Sequence, residues 1–472
     1  MSAHVNLDLV MELARRFQTE GGRAVLVGGY ARDEAMRRRG QDIDTKDFDL
    51  EVFGIEPERL VSILRYFGEV HSVGSAFAVW KLDNLDVAIP RRDSKTGPGH
   101  KGFEITCDPF MPVAEAARRR DLTINSISFD PLTDEFIDPF NGLSDLDQGV
   151  LRATDFELFG DDPLRVLRTA QFAGRLDFKV EPNTQHLCQT MPLAELPNER
   201  IGEEWRKLLV KSARPSAGLN AMRDLLVIEK LHPELQALIG CEQDPAWHPE
   251  GDVWVHTLLV MDAAARIARR EQLAGEEFIV LMLAALCHDL GKPATSKFVD
   301  GRIRSHGHSE AGEEPTRRLL TKLVIHQDLI ERVVKLVREH LWPALNFDKS
   351  KGKITAGNSA IKRLAMRLHP SSIDELLLLA EADKNGRIDV DTSFPEGPAL
   401  RARAQDLAIV DNQPKPILQG RHLIDLGLRP GPEFGTILRA VFEAQLDDHI
   451  ENLPQAVDMA KQIILSKPGG NV

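Results

Sequence analysis

Two carboxylates one residue apart, Asp47 and Asp49, follow a glycine pair, Gly28-Gly29, that closes an apolar β-branched run at 25–27. Alternation along a strand puts Asp47 and Asp49 on one face. Like charges held that close repel unless a cation sits between them. Hard oxygen ligands on a rigid strand suit a Mg²⁺ ion that also touches substrate phosphates. Glycines let the backbone approach a ligand closely. The chemistry this suggests is phosphoryl or nucleotidyl transfer, although an Asp-x-Asp by itself is more often a solvated strand edge. Further along stand Arg119-Arg120-Asp121 and Asn125. Guanidinium forks match phosphate oxygens, and an amide can hold a ribose hydroxyl or metal-bound water. Asp162, Arg165 and Arg168 follow at helical spacing. A carboxylate beside an arginine offers the acceptor and donor that reading a base edge requires. On spacing alone a plain helix salt bridge is the more frequent outcome. A separate set comprises His256, His288-Asp289 and Asp383, with His306, His308 and His340 as additional donors. Imidazole and carboxylate together bind divalent transition metals.

The order strand, Gly28-Gly29-x-x-Arg32-Asp33, then Asp47-x-Asp49 on the next strand resembles the head of class II tRNA nucleotidyltransferases and bacterial poly(A) polymerases. That resemblance implies that Asp47 and Asp49 are catalytic and hold Mg²⁺, and that Gly28, Gly29 and Arg32 lie at the nucleotide. It assigns Arg119, Arg120, Asp121 and Asn125 to the triphosphate pocket. The family's protein template, Glu-Asp-x-x-Arg, is matched by Asp161-Asp162-x-x-Arg165, with Arg168 beside it and the first position shorter by a methylene. A flexible loop in the family takes part in the change from CTP to ATP incorporation, and residues 91–102, RRDSKTGPGHKG, occupy its position. HPEGDVWVHT, leading into His256 and followed by His288-Asp289 and Asp383, resembles the HD phosphohydrolase superfamily and its nucleotidyltransferase-linked members. There the metal is expected to be Ni²⁺, Mn²⁺ or Co²⁺, bound by His256, His288, Asp289 and Asp383. The implied function is template-independent addition of CCA to tRNA 3′ ends from CTP and ATP, with a second, HD-type phosphohydrolase activity. Poly(A) or A-only addition is the alternative within enzymes, and an HD phosphohydrolase with an RNA-binding head is another. A pure RNA-binding scaffold would leave both constellations without a use.

These groups need a scaffold, and 472 residues with 42% hydrophobic content suffice for two to four domains. The expected class is α+β: a polymerase-β-like mixed sheet with helices over 1–150, then all-α neck (151–239), HD (240–394) and tail (395–472) regions. A net charge of -13 means that a nucleic acid must be held by local basic patches, such as Arg37 to Arg39, Arg91-Arg92, Lys95, Lys101 and Arg118 to Arg120. Four cysteines without paired spacing indicate neither a zinc ribbon nor a disulfide framework. No secretory pattern opens the chain and no apolar run reads as membrane-spanning, so the cytoplasm is expected. Helices are predicted at 5–19, 57–67, 160–178, 195–210 and 217–238, and an apolar one at 281–290. Residues 69–89 read as two strands turning near Asp83-Asn84, with Asp86 a candidate third acid or an ordinary polar strand residue. Residues 91–102 read as a mobile loop, 138–146 as a hinge-like connection, and 240–251 as a turn-rich linker. The tail reads as two helices around a loop at 427–435.

Overall fold

β1 (Arg23–Val27) and β2 (Phe48–Phe53) run antiparallel at the middle of a seven-stranded sheet. β3 (Val70–Ser72), β4 (Val79–Leu82) and β5 (Leu85–Ala88) extend it on one side; β6 (Arg91–Lys95) and β7 (Phe103–Cys107) pair separately as a hairpin. β8 (Ser128–Asp130) and β9 (Glu135–Ile137) close the other side, giving the order β3-β4-β5-β2-β1-β8-β9. β2 and β5 are parallel and the other pairs antiparallel, so the sheet is mixed. Here the computed structural model describes residues 2–43, 48–72, 79–95, 103–388 and 391–466, as two compact units, Met1–Leu231 and His232–Val472. Asp47 and loop residues 96–102 lie outside the described residues.

Alternation on β2 places Asp49, Glu51 and Phe53 on one face and Phe48, Leu50 and Val52 on the other. The second set is buried throughout. On the first face Phe53 packs with Val25, Val27, Met111 and Ala116, where Ala116 comes from the helix Val113–Arg118. Each such side chain contributes roughly 1.5–3 kcal/mol, which fixes the register and leaves Asp49 at the exposed end of the row. The stretch 69–89 holds three strands rather than two, although the turn does fall at Asp83-Asn84. The predicted loop at 91–102 begins as a strand: backbone pairing of Arg91–Lys95 with Phe103–Cys107 orders its charged first five residues, while its Gly and Pro positions lie outside the described residues.

The rest of the first unit is helical apart from one short parallel strand pair, Val150–Leu151 with Lys179–Val180. Leu164–Leu176 packs against Asn198–Lys211 and Pro215–Asp224. A Cβ on Gly174 would sit 3.2 Å from the Gly218 Cα, so two glycines let these helices cross backbone to backbone. The helix predicted at 160–178 starts only at Leu164, because Asp162 turns its carboxylate onto the Leu164 N–H (3.1 Å). The continuous helix predicted at 217–238 is three short ones, Pro215–Asp224, Val227–Leu231 and Pro233–Gln236; Leu226 takes a positive φ between the first two.

In the second unit Val253–Arg270, Gly275–Cys287, Gln327–Glu339 and Ile373–Asn385 pack on one another. The apolar stretch Gly275–Thr295 is long enough to cross a membrane by length and composition, but most of it is buried as a core segment of this unit. The tail has four helices rather than two, Glu396–Asp406, Gly420–Asp425, Pro432–Leu446 and Leu453–Leu465. Leu423, Ile437, Val441, Ala456 and Ala460 share a core among the last three.

Candidate functional site

In the first unit a cavity of about 980 Å³ is lined by Gly28, Gly29, Arg32, Asp33, Asp49, Arg120, Asp121, Asn125, Asp162, Arg165, Arg168, Gln171, Phe172, Arg175, Lys207 and Lys211. Seven of these are Arg or Lys against four Asp, so a chain of negative net charge carries a locally cationic pocket. Gly28 has φ +63°, and a Cβ there would lie 3.3 Å from Arg120 Nη1 and 3.6 Å from Asp49 Oδ2. The glycine turn therefore brings backbone against the carboxylate and the guanidinium together. In the parallel β2–β5 register Asp49 pairs with Asp86, which puts the two acids side by side on one face; Asp86 also contacts Lys81 at 3.4 Å.

Behind the opening runs a buried chain of charges. Arg32 donates to Asp33 (2.6 and 2.9 Å) and to the Asn125 amide oxygen (2.7 Å), Asn125 donates to Asp121 (2.9 Å), and Asp121 accepts from Arg168 (2.7 Å). Arg32, Asp33, Asn125 and Asp121 are all buried. Burial would raise the Asp121 carboxyl, but the Arg168 guanidinium and the Asn125 amide outweigh it and hold its pKa down to about 2. Asp121 therefore stays anionic and fixes Arg168, whose own pKa it raises. Phe172 lies under both Arg32 and Arg168, 5.2 and 5.8 Å from the ring centre.

The predicted residues do not all converge. Arg119 and Asp161 are not among the lining residues. Arg119 reaches Glu51 at 3.4 Å, beside Arg120 at 3.2 Å. Asp162 and Arg165 both line the cavity but are not joined by a side-chain salt bridge. Asp162 pairs with Arg200 at 2.7 Å, and Arg165 donates to the carbonyls of Leu158 (2.7 Å) and Arg119 (2.5 Å). Burial lowers the Arg165 pKa. Arg175, Lys207 and Lys211 escaped sequence reasoning, yet their spacing was visible. Arg168, Gln171, Phe172 and Arg175 form one stripe of a helix, and Lys207 and Lys211 stand one turn apart on the next. Glu51, 2% exposed on the same strand face as Asp49, is a further site residue that the sequence reading did not single out.

The second unit gathers its histidines where helices end. His256 lies early in Val253–Arg270, His288-Asp289 follow Gly275–Cys287, His308 opens a short helix, His340 follows Gln327–Glu339, and Asp383 sits near the end of Ile373–Asn385. All six are buried. His256 Nε2 is 3.0 Å from Asp383, His288 Nε2 3.1 Å from Asp289, and His308 Nε2 3.3 Å from Asp289 and 3.4 Å from His340 Nε2. A Cβ on Gly291 would sit 2.0 Å from the His308 carbonyl oxygen, so only glycine allows the His308 segment this close to Asp289. His306 lines the cavity of about 740 Å³ beside this cluster, together with His248, Lys292 and Arg387.

The donor set fits a divalent cation. His256, His288 and Asp383 offer three ligand atoms within 4.8 Å of one another, and Asp289, His308 and His340 offer three more. The buried His288 Nε2 and Asp289 Oδ2 face each other without hydrogen-bond geometry. Lone pairs aimed at a shared space are what ligation needs. Burial and the neighbouring His308 and His288 push the His340 pKa down to about 3, which keeps that imidazole neutral. Burial would raise Asp289, but His288 and Lys292 hold it well below the usual carboxylate range. The linker at 240–251 also brings chemistry: His248 and Glu250 adjoin the cluster, which its turn-rich composition did not signal.

Residues 24–152 match the poly A polymerase head domain family, residues 177–239 the family described as "Probable RNA and SrmB- binding site of polymerase A", and residues 253–384 the HD domain family. Among solved structures the fold is similar to that of the Bacillus stearothermophilus CCA-adding enzyme in complex with CTP. The TM-score is 0.65 and the identity 19%, over 96% of each chain. It is also similar to the Thermotoga maritima CCA-adding enzyme complexed with tRNA, with a TM-score of 0.57 and 17% identity over 96% of this chain and 95% of that one. A multifunctional CCA protein from Stenotrophomonas maltophilia (strain R551-3) is 34% identical over 80% of this chain and 89% of its own length. The multifunctional CCA protein of Xanthomonas campestris pv. campestris (strain B100) is 34% identical over 88% of this chain and 95% of its own. On that likeness the chain belongs to the multifunctional CCA protein family and is a nucleotidyltransferase with an α+β head and an HD domain.

Proposed function

We propose that the first unit adds CCA to tRNA 3′ ends from CTP and ATP in the cytoplasm. The observation that carries this is the cationic cavity in which Asp49, the Gly28-Gly29 turn and the Arg32–Asn125–Asp121–Arg168 chain meet. Asp49, with Asp47 as its partner from the sequence, would hold Mg²⁺. That ion when bound supplies charge neutralisation at the phosphates and a more acidic attacking 3′ hydroxyl. The turn at Gly28 presents backbone to the triphosphate, and Arg120 and Arg168 meet its oxygens. Asp121 and Asn125 keep the arginines in place, so positioning is complete before substrate arrives. Asp162 and Arg165 stand at the cavity for the base, with Asp161 beside them in sequence and Arg119 contributing its carbonyl to hold Arg165. Purified protein incubated with tRNA lacking its 3′ CCA, in CTP alone, ATP alone and both, tests this reading. Full CCA only with both nucleotides supports it, and A addition without CTP use would replace it with an A-only activity.

A second activity is favoured by the ligand geometry of the second unit. His256, His288, Asp289 and Asp383, with His308 and His340, would hold Ni²⁺, Mn²⁺ or Co²⁺, which supplies an activated water for hydrolysing a phosphoester. Lys292 and Arg387 line the adjoining cavity and are placed to meet the phosphate. Opening of a 2′,3′-cyclic phosphate to a monophosphate by addition of one water, dependent on one of these metals, is the expected result.

A further inference from the structure

Three of the four cluster histidines anchor the nitrogen facing away from the centre in one way. Nδ1 of His288, His308 and His340 lies 2.8, 2.7 and 2.7 Å from the carbonyl oxygens of Ala285, Ser305 and Val337, each three residues earlier. A carbonyl only accepts, so each Nδ1 carries the proton and each Nε2 keeps the lone pair that a metal needs. His256 is the exception. It is the fourth residue of its helix, and the carbonyl three residues back, that of Val253, accepts from the Thr257 hydroxyl at 2.8 Å.

Nδ1 of His256 lies instead 2.8 Å from Oε1 of Glu250, a side chain that is 0% exposed, at ion-pair distance but outside hydrogen-bond geometry. The same oxygen lies 2.9 Å from Nδ1 of His248. On the opposite side of the His256 ring Nε2 faces Asp383 at 3.0 Å. His248 lines the cavity that also holds Asp289 and Asp383. The segment carrying Glu250 is pinned, because Asp252 accepts from the N–H groups of Gly240 (2.6 Å) and Val255 (2.9 Å) and so ties both its ends to the start of the helix.

We propose that Glu250 is a positioning residue of the second centre: its charge beside Nδ1 of His256 favours the tautomer with the proton on that nitrogen and leaves the Nε2 lone pair for the cation, and its hydrogen bond to His248 aims that ring into the cavity. A carboxylate in this place does more than a carbonyl, since its charge makes the imidazole a stronger ligand. The inference rests on the reading of this cluster as a metal centre.

The test is titration of the full-length chain with Mn²⁺ or Ni²⁺ by calorimetry, for wild type, Glu250→Gln and Glu250→Asp. Gln keeps the size and removes the charge, while Asp keeps the charge and withdraws the oxygen. Both should bind the metal about 10–100-fold more weakly, the usual loss for an outer partner of a ligating histidine. The metal-free melting temperature and nucleotide addition should be unchanged. Affinity within about twofold of wild type in both variants would overturn the proposal, and so would unfolding of both without metal, which would make Glu250 a fold determinant. A wild type that binds no divalent cation would instead overturn the metal reading itself, a result distinct from equal binding by all three proteins.

Discussion

The two candidate sites solve opposite problems with the same kinds of side chain. In the head, carboxylates are matched to arginines: Asp33 to Arg32, Asp121 to Arg168, Asp162 to Arg200, and Glu51 to Arg119 and Arg120. In the second unit Asp289 and Asp383 face imidazoles as well as one cation each, Lys292 (2.7 Å) and Arg387 (3.5 Å), and three of the imidazoles are tied from behind by backbone carbonyls. A guanidinium is permanently charged and displays several donors, so the first arrangement suits a large polyanion held from many sides. A neutral imidazole with one fixed lone pair suits a single cation held from a few. Within this chain, then, the imidazoles gathered beside the carboxylates are what distinguish the second candidate site from the first.

The comparison can be broken at four points. The largest effect is expected at the head carboxylate: Asp49→Ala should lower nucleotide addition by at least about 10²–10³-fold, the scale of losing a charge-stabilising group, while tRNA binding persists. Near-normal turnover with Mg²⁺ would remove Asp49 from the chemistry. Arg165→Ala should weaken discrimination among nucleoside triphosphates by about 1–3 kcal/mol. In this structure the Arg165 side chain is spent on two carbonyls, so equal loss for every triphosphate would mark it as a brace for the Arg119 and Leu158 segments.

How much of this could be read in advance differs between the two sites as well. The head elements were legible because strand, glycine pair and acid follow one another within thirty residues, and the helix at 57–67 falls as expected. The hairpin at Arg91–Lys95 was not, because its partner strand overrides local composition. The order His256, His288-Asp289, Asp383 pointed to residues that the fold gathers into one buried cluster. Glu250 and His248 stayed hidden because a turn-rich segment has no periodicity to show which side chains point inward. Asp161 matched a sequence pattern yet stands outside the cavity lining, in the turn before Asp162, which caps the Leu164 N–H two residues ahead of the helix start.

Two smaller effects sharpen the contrast. Gly291→Ala should weaken metal binding in the second unit by about 10-fold or more, because overpacking against the His308 carbonyl costs about 1–3 kcal/mol and draws His308 away from Asp289, while leaving nucleotide addition in place. Unchanged metal affinity would mean that the backbone relaxes freely there. Asp121→Asn should cost about 2 kcal/mol of stability near neutral pH. The sign follows from a folded pKa of about 2 against the ordinary aspartate value of 3.8: the contribution is present above about pH 4 and is lost as pH falls through about 2. Denaturant melts of wild type and variant should therefore differ near neutrality and converge at low pH, and a gap independent of pH would assign the effect to packing.

The claim that two chemistries are carried by two separable sites is tested most directly by assaying CCA addition and metal-dependent hydrolysis of a 2′,3′-cyclic phosphate side by side, on wild type, on Asp49→Ala and on the double variant His288→Ala with Asp289→Ala. The account predicts that Asp49→Ala loses addition and keeps hydrolysis, and that the double variant loses hydrolysis and adds CCA within a few-fold of wild type. Loss of both activities together in either protein, with its fold intact, would contradict it.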